Sequence, residues 1–159
     1  MDVTEESEAP ANELEALVTD LSASGSVVYV FDNGWVTTHL RGSTRPLFRG
    51  PSERRWWHVE HGDPESKWAL SVRLDRIEHV RFIREPNPFP SFPGEESLVI
   101  RFEADGERTA LHCYLQDLYE GRQLRPDRVR AWEEIRSRYG GRSDSLVIDG
   151  SLHPVDAAA

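Results

Sequence analysis

The sequence predicts an α+β domain built on a large, twisted antiparallel sheet, with a helix near each end of the chain. Short runs rich in β-branched and aromatic residues follow one another along the middle of the chain, separated by turn residues. Two pairs of these runs are joined by tight-turn signals that are typical of hairpins. Apolar residues spaced three or four positions apart, which indicate helices, occur before the first run and after the last.

The two predicted helices flank the strand region. The first begins after Asn12, because Asn12 and Glu15 have the spacing of a capping box, and it ends at Gly25. Its apolar stripe consists of Leu14, Leu17, Val18 and Leu21. The second begins near Pro126 and ends at Gly140, since Pro favours the first turn of a helix and Gly favours its end. Its core positions are Val129, Trp132, Ile135 and Tyr139.

The strands are predicted from alternation and from the turns between them. The two hairpin turns are Asp32-Asn33-Gly34 and Asp105-Gly106. The runs that they join are residues 26–31 with 35–40 and residues 97–103 with 108–115. Further extended segments are expected at residues 41–51, 56–61, 68–74 and 77–84.

Residues 84–94 contain four prolines and two phenylalanines. Proline lacks a backbone donor and fixes φ, so we expect this segment to be a stiff surface loop outside any sheet or helix. The loop is interpreted either as a flap or oligomer contact that exposes Phe89 and Phe92, or as a plain connection whose phenylalanines fold back onto the core.

Length and composition limit the chain to one core. With 159 residues, 38% of them hydrophobic and 30% charged, the composition is that of a globular domain. We expect a single domain over residues 10–141, a disordered acidic tail over residues 1–9 and a C-terminal tail over residues 142–159.

The charge and the cysteine content exclude several classes of function. A net charge of −9 argues against nonspecific binding to nucleic acid or to an anionic membrane. The single Cys113 excludes an intramolecular disulfide and a multi-cysteine zinc site, which favours a reducing compartment. Residues 1–8 lack the apolar run of a secretory signal, and no stretch is apolar enough to cross a bilayer. We therefore expect a cytoplasmic protein without nucleic-acid or membrane partners.

No self-sufficient catalytic motif is present. Cys113 and His112 are adjacent on a predicted strand, so their side chains point to opposite faces and cannot form a thiolate pair. The sequence contains neither a Gly-x-Ser-x-Gly elbow nor a glycine-rich phosphate loop after a strand. The sequence therefore favours a protein that is not an enzyme.

The densest cluster of functional side chains lies in residues 54–61. Its two arginines suit carboxylates, its two tryptophans suit a flat ring system, and a histidine can coordinate a metal. On a strand Trp56, His58 and Glu60 share one face, so only one histidine can enter a given pocket. The alternative is a half-buried strand with one Trp in the core. A zinc site on His58, Glu60 and His61 is disfavoured, because these ligands do not converge from a strand.

Two other histidines lie on predicted strands and remain candidates for ligands that project from the sheet surface. His39 shares a face with Trp35 and Thr37, and His112 shares a face with Ala110 and Tyr114. Each is also compatible with a structural or simply exposed imidazole.

Several segments resemble the cytoplasmic haem-utilisation proteins of the HemS/ChuX/HutX type. Trp56–Val59 resembles a family strand that begins with Trp and ends with Val, and Ser71–Ile77 is similar to its His-Leu-Arg-x-Asp-x-Ile step. Phe82–Pro86 is similar to its Val-Arg-Lys-Pro strand end, and Ser97–Gly106 to its Ser-Leu-Glu-Leu-Phe-Asp-Ala-Asp-Gly hairpin. Asp32–Val36 resembles a further hairpin of the same fold.

This resemblance implies an α+β fold with a large antiparallel sheet, dimers or fused repeats, and haem delivery or breakdown in the cytoplasm. It departs from the family at Ser71, which stands where the family has a histidine, and at Leu115-Gln116-Asp117, which replaces a glycine-arginine element. The first helix also lacks the histidine that often supplies an axial ligand.

The leading hypothesis is a homodimeric haem-binding or haem-trafficking protein. It assigns His58 as the iron ligand, with His39 and His112 as lesser candidates, Arg54 and Arg55 as partners of the propionates, and Trp56 as the residue packed on the porphyrin. A second hypothesis is a non-enzymatic interaction module that kept this fold and lost haem, which the absence of the histidine at position 71 favours. A third is a haem-degrading enzyme.

Overall fold

The computed structural model describes residues 6–7, 9–33, 35–42, 44–63, 66–87, 94, 96–106, 108–140 and 145–147. The helices are α1 (Glu13–Ala23) and α2 (Pro126–Tyr139). The strands of the first half are β1 (Glu6–Ser7), β2 (Val27–Asp32), β3 (Thr37–Gly42), β4 (Arg45–Arg49), β5 (Trp56–Asp63) and β6 (Ser66–Arg73). The remaining strands are β7 (His79–Pro86), β8 (Glu96–Ala104), β9 (Thr109–Leu115), β10 (Tyr119–Glu120), β11 (Gln123–Leu124) and β12 (Ser145–Val147). Single 3₁₀ turns lie at Ser52–Arg54 and Leu74–Arg76.

The α+β class, with mostly antiparallel sheets and a helix near each end, is confirmed. The strands divide, however, between two main sheets, whereas the sequence predicted one. The four-stranded sheet has the order β1-β4-β5-β6 and the six-stranded sheet the order β12-β7-β8-β9-β2-β3, while β10 and β11 form a small ribbon. Hairpin signals identify neighbours that are close in the chain, but they do not show which hairpins share a sheet.

Both predicted hairpins are present. β2 pairs with β3 from Val27↔Gly42 to Asp32↔Thr37, and β8 pairs with β9 up to Ala104↔Thr109. β9 also pairs with β2, and this pairing places the two hairpins side by side in the six-stranded sheet. A third hairpin joins β5 to β6.

The expected proline loop begins later than predicted. Residues Arg84, Glu85 and Pro86 belong to β7 and pair with β8 as far as Pro86↔Glu96. Within the described residues β12 pairs only with positions 79–81 of β7, so Pro86 lies where β7 is an edge strand and a missing donor is tolerated. Phe89 and Phe92 lie outside the described residues.

The main core lies between the two sheets and the helices. The predicted stripe of α1 is fully buried. Trp57 of β5 contacts Tyr29 of β2 edge to face, with ring centroids 6.0 Å apart, which joins the two sheets. In α2, Trp132, Ile135 and Tyr139 are buried as predicted, and Val129 is partly buried. No helix in the described part of the chain is long and apolar enough to span a membrane.

Arg128 of α2 is a buried polar connection between distant segments. Its Nε donates to the carbonyl of Gln116 at 2.9 Å, its Nη2 donates to Ser26 at 3.2 Å, and its Nη1 donates to Ser24. Gly25 has φ +117°, and a Cβ there would lie 2.8 Å from Nη1. Glycine at position 25 therefore supplies both the backbone conformation and the space for the guanidinium. Burial lowers the pKa of Arg128.

Candidate functional site

The two faces of β5 have opposite character, as alternation predicted. Trp57 and Val59 point inward and are fully buried. Trp56 and Glu60 are exposed on the outer face, and the half-buried His58 lies between them. The predicted cluster is therefore split between the core and an accessible face of the four-stranded sheet.

The imidazole of His58 is held on both sides. Its Nδ1 lies 2.9 Å from the hydroxyl of Ser71 on β6, and its Nε2 lies 3.1 Å from a carboxylate oxygen of Glu60. The His58 side chain is 16% exposed and that of Glu60 is 57% exposed. Ser71 thus orients the ring through Nδ1, while Nε2 contacts an exposed carboxylate that another ligand can displace.

Trp56 lies beneath the guanidinium of Arg73, a residue that was not predicted as a site residue. The Arg73 guanidinium lies 5.4 Å from the centre of the indole, a cation–π arrangement. Asp75 holds this guanidinium in place, with Nε–Oδ1 and Nη2–Oδ2 distances of 2.7 and 2.5 Å. Arg73 pairs with Trp56 across β5 and β6, which could be inferred only once the register of the hairpin was known.

The Arg73–Asp75 pair predicts a dependence of stability on pH. The hydrogen bonds and charge of Arg73 lower the pKa of Asp75 below its ordinary value of 3.8. The carboxylate therefore stabilises the fold above pH 3.8, and this contribution is lost as the pH falls through the lowered pKa. We expect Asp75→Asn to be less stable than the wild type at pH 6, by less than about 1 kcal/mol, and to reduce the loss of stability between about pH 4 and pH 2. Urea unfolding of the wild type and the variant across this pH range measures both effects. If the two free energies of unfolding changed in parallel with pH, Asp75 would not be the group responsible.

The neighbouring arginines Arg54 and Arg55 have different environments. Arg55 turns away from the outer face and forms an ion pair with the fully buried Glu15 of α1, with contacts of 3.1 and 3.2 Å. It also donates to the carbonyl of Gly50 at 2.8 Å. The predicted role of Arg55 as a ligand-binding residue is therefore not supported by its geometry, because its donors are used within the fold. Arg54 is exposed at the 3₁₀ turn that precedes β5.

His39 and His112 lie on the other sheet, away from His58. His112 of β9 and His39 of β3 are separated by Val30 of β2, and each is directly opposite Val30 in the ladder. The His112 ring stacks on Tyr114, with centroids 6.0 Å apart. Burial lowers the pKa of His112, and Arg101 lowers it further. The three predicted histidines therefore do not form one site.

The described residues provide neither a clustered metal site nor a reactive cysteine. Within the described ranges, no group of three or more His, Cys, Asp or Glu side chains could hold a metal ion. The side chain of His61, the third residue of the zinc alternative, lies outside the described residues. Cys113 is buried, and burial raises the pKa of its thiol well above 9.0. Its side chain points to the face opposite His112, as predicted.

A cleft opens between the two sheets next to Trp56. We call it the inter-sheet cleft; its volume is about 290 Å³. Its apolar lining consists mainly of Phe31, Leu70, Val72, Phe102 and Leu111. Trp56, Arg73 and Arg76 also line it. None of these residues except Trp56 was selected from the sequence, because strands of two different sheets contribute them.

Comparison with known proteins adds no assignment. The chain matches no protein-family model, and no curated protein sequence matches it.

Proposed function

We propose that the protein binds haem, or a similar flat anionic molecule, on the outer face of the four-stranded sheet and serves in haem trafficking in the cytoplasm. The observation that carries this proposal is the placement of an imidazole, an indole and a guanidinium on one accessible sheet face, at His58, Trp56 and Arg73. The HemS/ChuX-like fold that the sequence resembles belongs to the same proposal. The α+β architecture is compatible with it.

The residues on this face fit haem in part. Haem, when bound, would supply an iron that a histidine can ligate and two negatively charged propionates. Nε2 of His58 would be the iron ligand, Trp56 would pack on the porphyrin, and Arg54 would pair with a propionate. Arg73, which Asp75 already holds, would add positive charge beside the site. Arg55, His39 and His112 do not fit the same site, since Arg55 is paired with Glu15 and both histidines lie on the six-stranded sheet.

Titration with haemin tests this proposal. The wild type should give a shifted Soret band that saturates, and His58→Ala should weaken haemin binding at least about tenfold, because an iron ligand is lost. Ser71→Ala should weaken it less, since this change releases the ring without removing it. His39→Ala is the matched control and should bind as the wild type does. Absence of a shifted band, or an unchanged band in His58→Ala, would remove the model.

A second candidate function is that of an interaction module that forms a homodimer. The observation that favours it is the tip between β2 and β3, where Trp35 is 85% exposed next to the exposed Val36. Adjacent exposed apolar side chains form a patch, and exposed apolar patches mark contact sites more often than single exposed residues do. β3, the strand that follows this tip, is an edge strand of the six-stranded sheet in the described part of the chain.

Light scattering of Trp35→Ser tests this second function. We expect a dimeric mass for the wild type and a larger monomer fraction for the variant, because the change removes apolar contact area without disturbing the core. Thr38→Ser, an exposed position on β3, is the control. A monomeric wild type, or an unchanged mass in Trp35→Ser, would count against the interaction-module hypothesis.

A further inference from the structure

We infer that the inter-sheet cleft is a second ligand site, which takes a one- or two-ring aromatic molecule with a single carboxylate. It is distinct from the face that carries His58, since the cleft lies between the sheets and its apolar lining belongs to the inward sides of their strands. The two sites share a margin formed by Trp56, Ser71 and Arg73.

The apolar walls of the cleft are the first support. Phe31, Leu70 and Val72 pack against the main core and yet are only partly buried. Phe102 and Leu111, which are buried, also line the cleft. Inward-facing apolar side chains that stay partly uncovered leave a favourable burial free energy unused. A concave, mostly apolar surface of this kind is typical of small-molecule sites.

The volume of the cleft limits the size of its ligand. An apolar cavity of about 150 Å³ holds one benzene molecule in another protein. The inter-sheet cleft, at about 290 Å³, is roughly twice as large. A one-ring or two-ring aromatic group fits this space, whereas a macrocycle such as a porphyrin does not. The cleft is therefore not the place where the haem of the proposed function would bind.

The charges at the cleft select a carboxylate. Arg73 is already paired with Asp75, and the Glu103 carboxylate forms ion pairs with Arg81 and Arg101, although its Oε2 accepts no hydrogen bond from a described residue. Arg76 is exposed and lines the cleft, and its charge also acts on the neighbouring Asp75 carboxylate. Because the Arg73 donors already hold Asp75, the exposed guanidinium of Arg76 is the one that we expect to bind a carboxylate through paired, charge-assisted hydrogen bonds.

Asp105 is the group that opposes this selection. It lines the cleft, but its Oδ2 accepts a hydrogen bond from the Thr109 hydroxyl at 3.3 Å. Because this bond closes the turn between β8 and β9, we expect Asp105 to remain at the turn when a ligand binds. A ligand with an ammonium group in place of the carboxylate tests whether this expectation holds.

Titration of the full chain with 2-naphthoate, followed by ¹H–¹⁵N NMR, tests the inference. We expect saturable shifts that cluster at Phe31, Leu70 and Leu111. The alcohol 2-naphthylmethanol should bind more weakly than the acid, and 2-naphthylmethylamine more weakly still. Arg76→Gln should weaken 2-naphthoate binding about five- to tenfold and leave binding of the alcohol unchanged. Arg130 is an exposed arginine on α2, and Arg130→Gln should change the binding of neither 2-naphthoate nor the alcohol.

Three results would overturn the inference. They are no saturable binding of 2-naphthoate, shifts that cluster away from the cleft, and binding of the amine that is tighter than that of the acid. An equal effect of Arg76→Gln on the acid and on the alcohol would also overturn the carboxylate assignment. His58→Ala should not affect 2-naphthoate binding, so failure of the haem proposal and failure of this one are separate outcomes.

Discussion

Replacing Arg55 with methionine should destabilise the protein by about 3–5 kcal/mol, because it leaves a buried carboxylate without its counter-charge. Glu15 is fully buried, and Arg55 donates to both of its carboxylate oxygens. Glu15 also closes the first turn of α1, where its backbone N–H donates to Asn12 at 2.9 Å and its side chain accepts from the Asn12 amide at 2.9 Å. Loss of Arg55 therefore weakens both a charge pair and a helix cap.

The adjacent arginine supplies the control for this prediction. Arg54→Met makes the same chemical change one position earlier at an exposed site, and should cost less than about 0.5 kcal/mol. Urea unfolding of both variants gives the comparison. The double variant Glu15→Met/Arg55→Met should recover part of the lost stability, since no charge is then left buried. Equal costs for the Arg54 and Arg55 variants would show that the Glu15 pair does not stabilise the fold.

Replacing Arg128 with methionine should cost about 2–4 kcal/mol, because the carbonyls of three distant residues lose a charged donor at once. These carbonyls belong to Ser24, Ser26 and Gln116, which lie at the end of α1, the start of β2 and the end of β9. Methionine keeps most of the apolar stem, so the loss reports the hydrogen bonds more than the packing. Thermal and urea unfolding provide the measurement.

Arg130 on the same helix is the matched control for Arg128. It is exposed, and Arg130→Met should change the free energy of unfolding by less than about 0.5 kcal/mol. A cost for Arg128→Met as small as that for Arg130→Met would mean that water replaces the guanidinium at the three carbonyls without loss. The connection between α2 and the start of β2 would then rest on apolar packing alone.

The parts of the fold that sequence could predict are those that neighbouring residues determine. The stripe of α1, the N-cap at Asn12 and the two hairpins follow from spacing within a few residues, and the structure contains all of them. The predicted capping box is formed only in part, because the Glu15 carboxylate accepts from the side-chain amide of Asn12 and not from its backbone N–H. The division into two sheets could not be predicted in this way. It depends on the pairing of β2 with β9, whose residues are far apart in the chain, and local patterns carry no information on such pairing.

Prediction of the candidate site has the same limit: residues whose position depends on strand register were missed. There is one exception. Trp56 and His58 were correctly placed on one face because alternation is local. Arg73 was missed because its position over Trp56 depends on the register of β6 against β5. Arg55 is the exception, since it has the same parity as the buried Trp57 and Val59. Alternation alone therefore indicated that Arg55 faces the interior, where only a partner such as Glu15 makes a charge tolerable.

The interior position of β2 has a consequence for how the chain folds as it is synthesised. One neighbour of β2 is its hairpin partner β3, but the other is β9, which pairs across from Val27↔Leu115 to Asp32↔Ala110. Until the ribosome has released residues beyond 115, β2 presents an uncovered edge that other nascent chains can join. We therefore expect the six-stranded sheet to close slowly and late in folding. Chains that stop before β9 should aggregate and should not fold into a stable part of the domain.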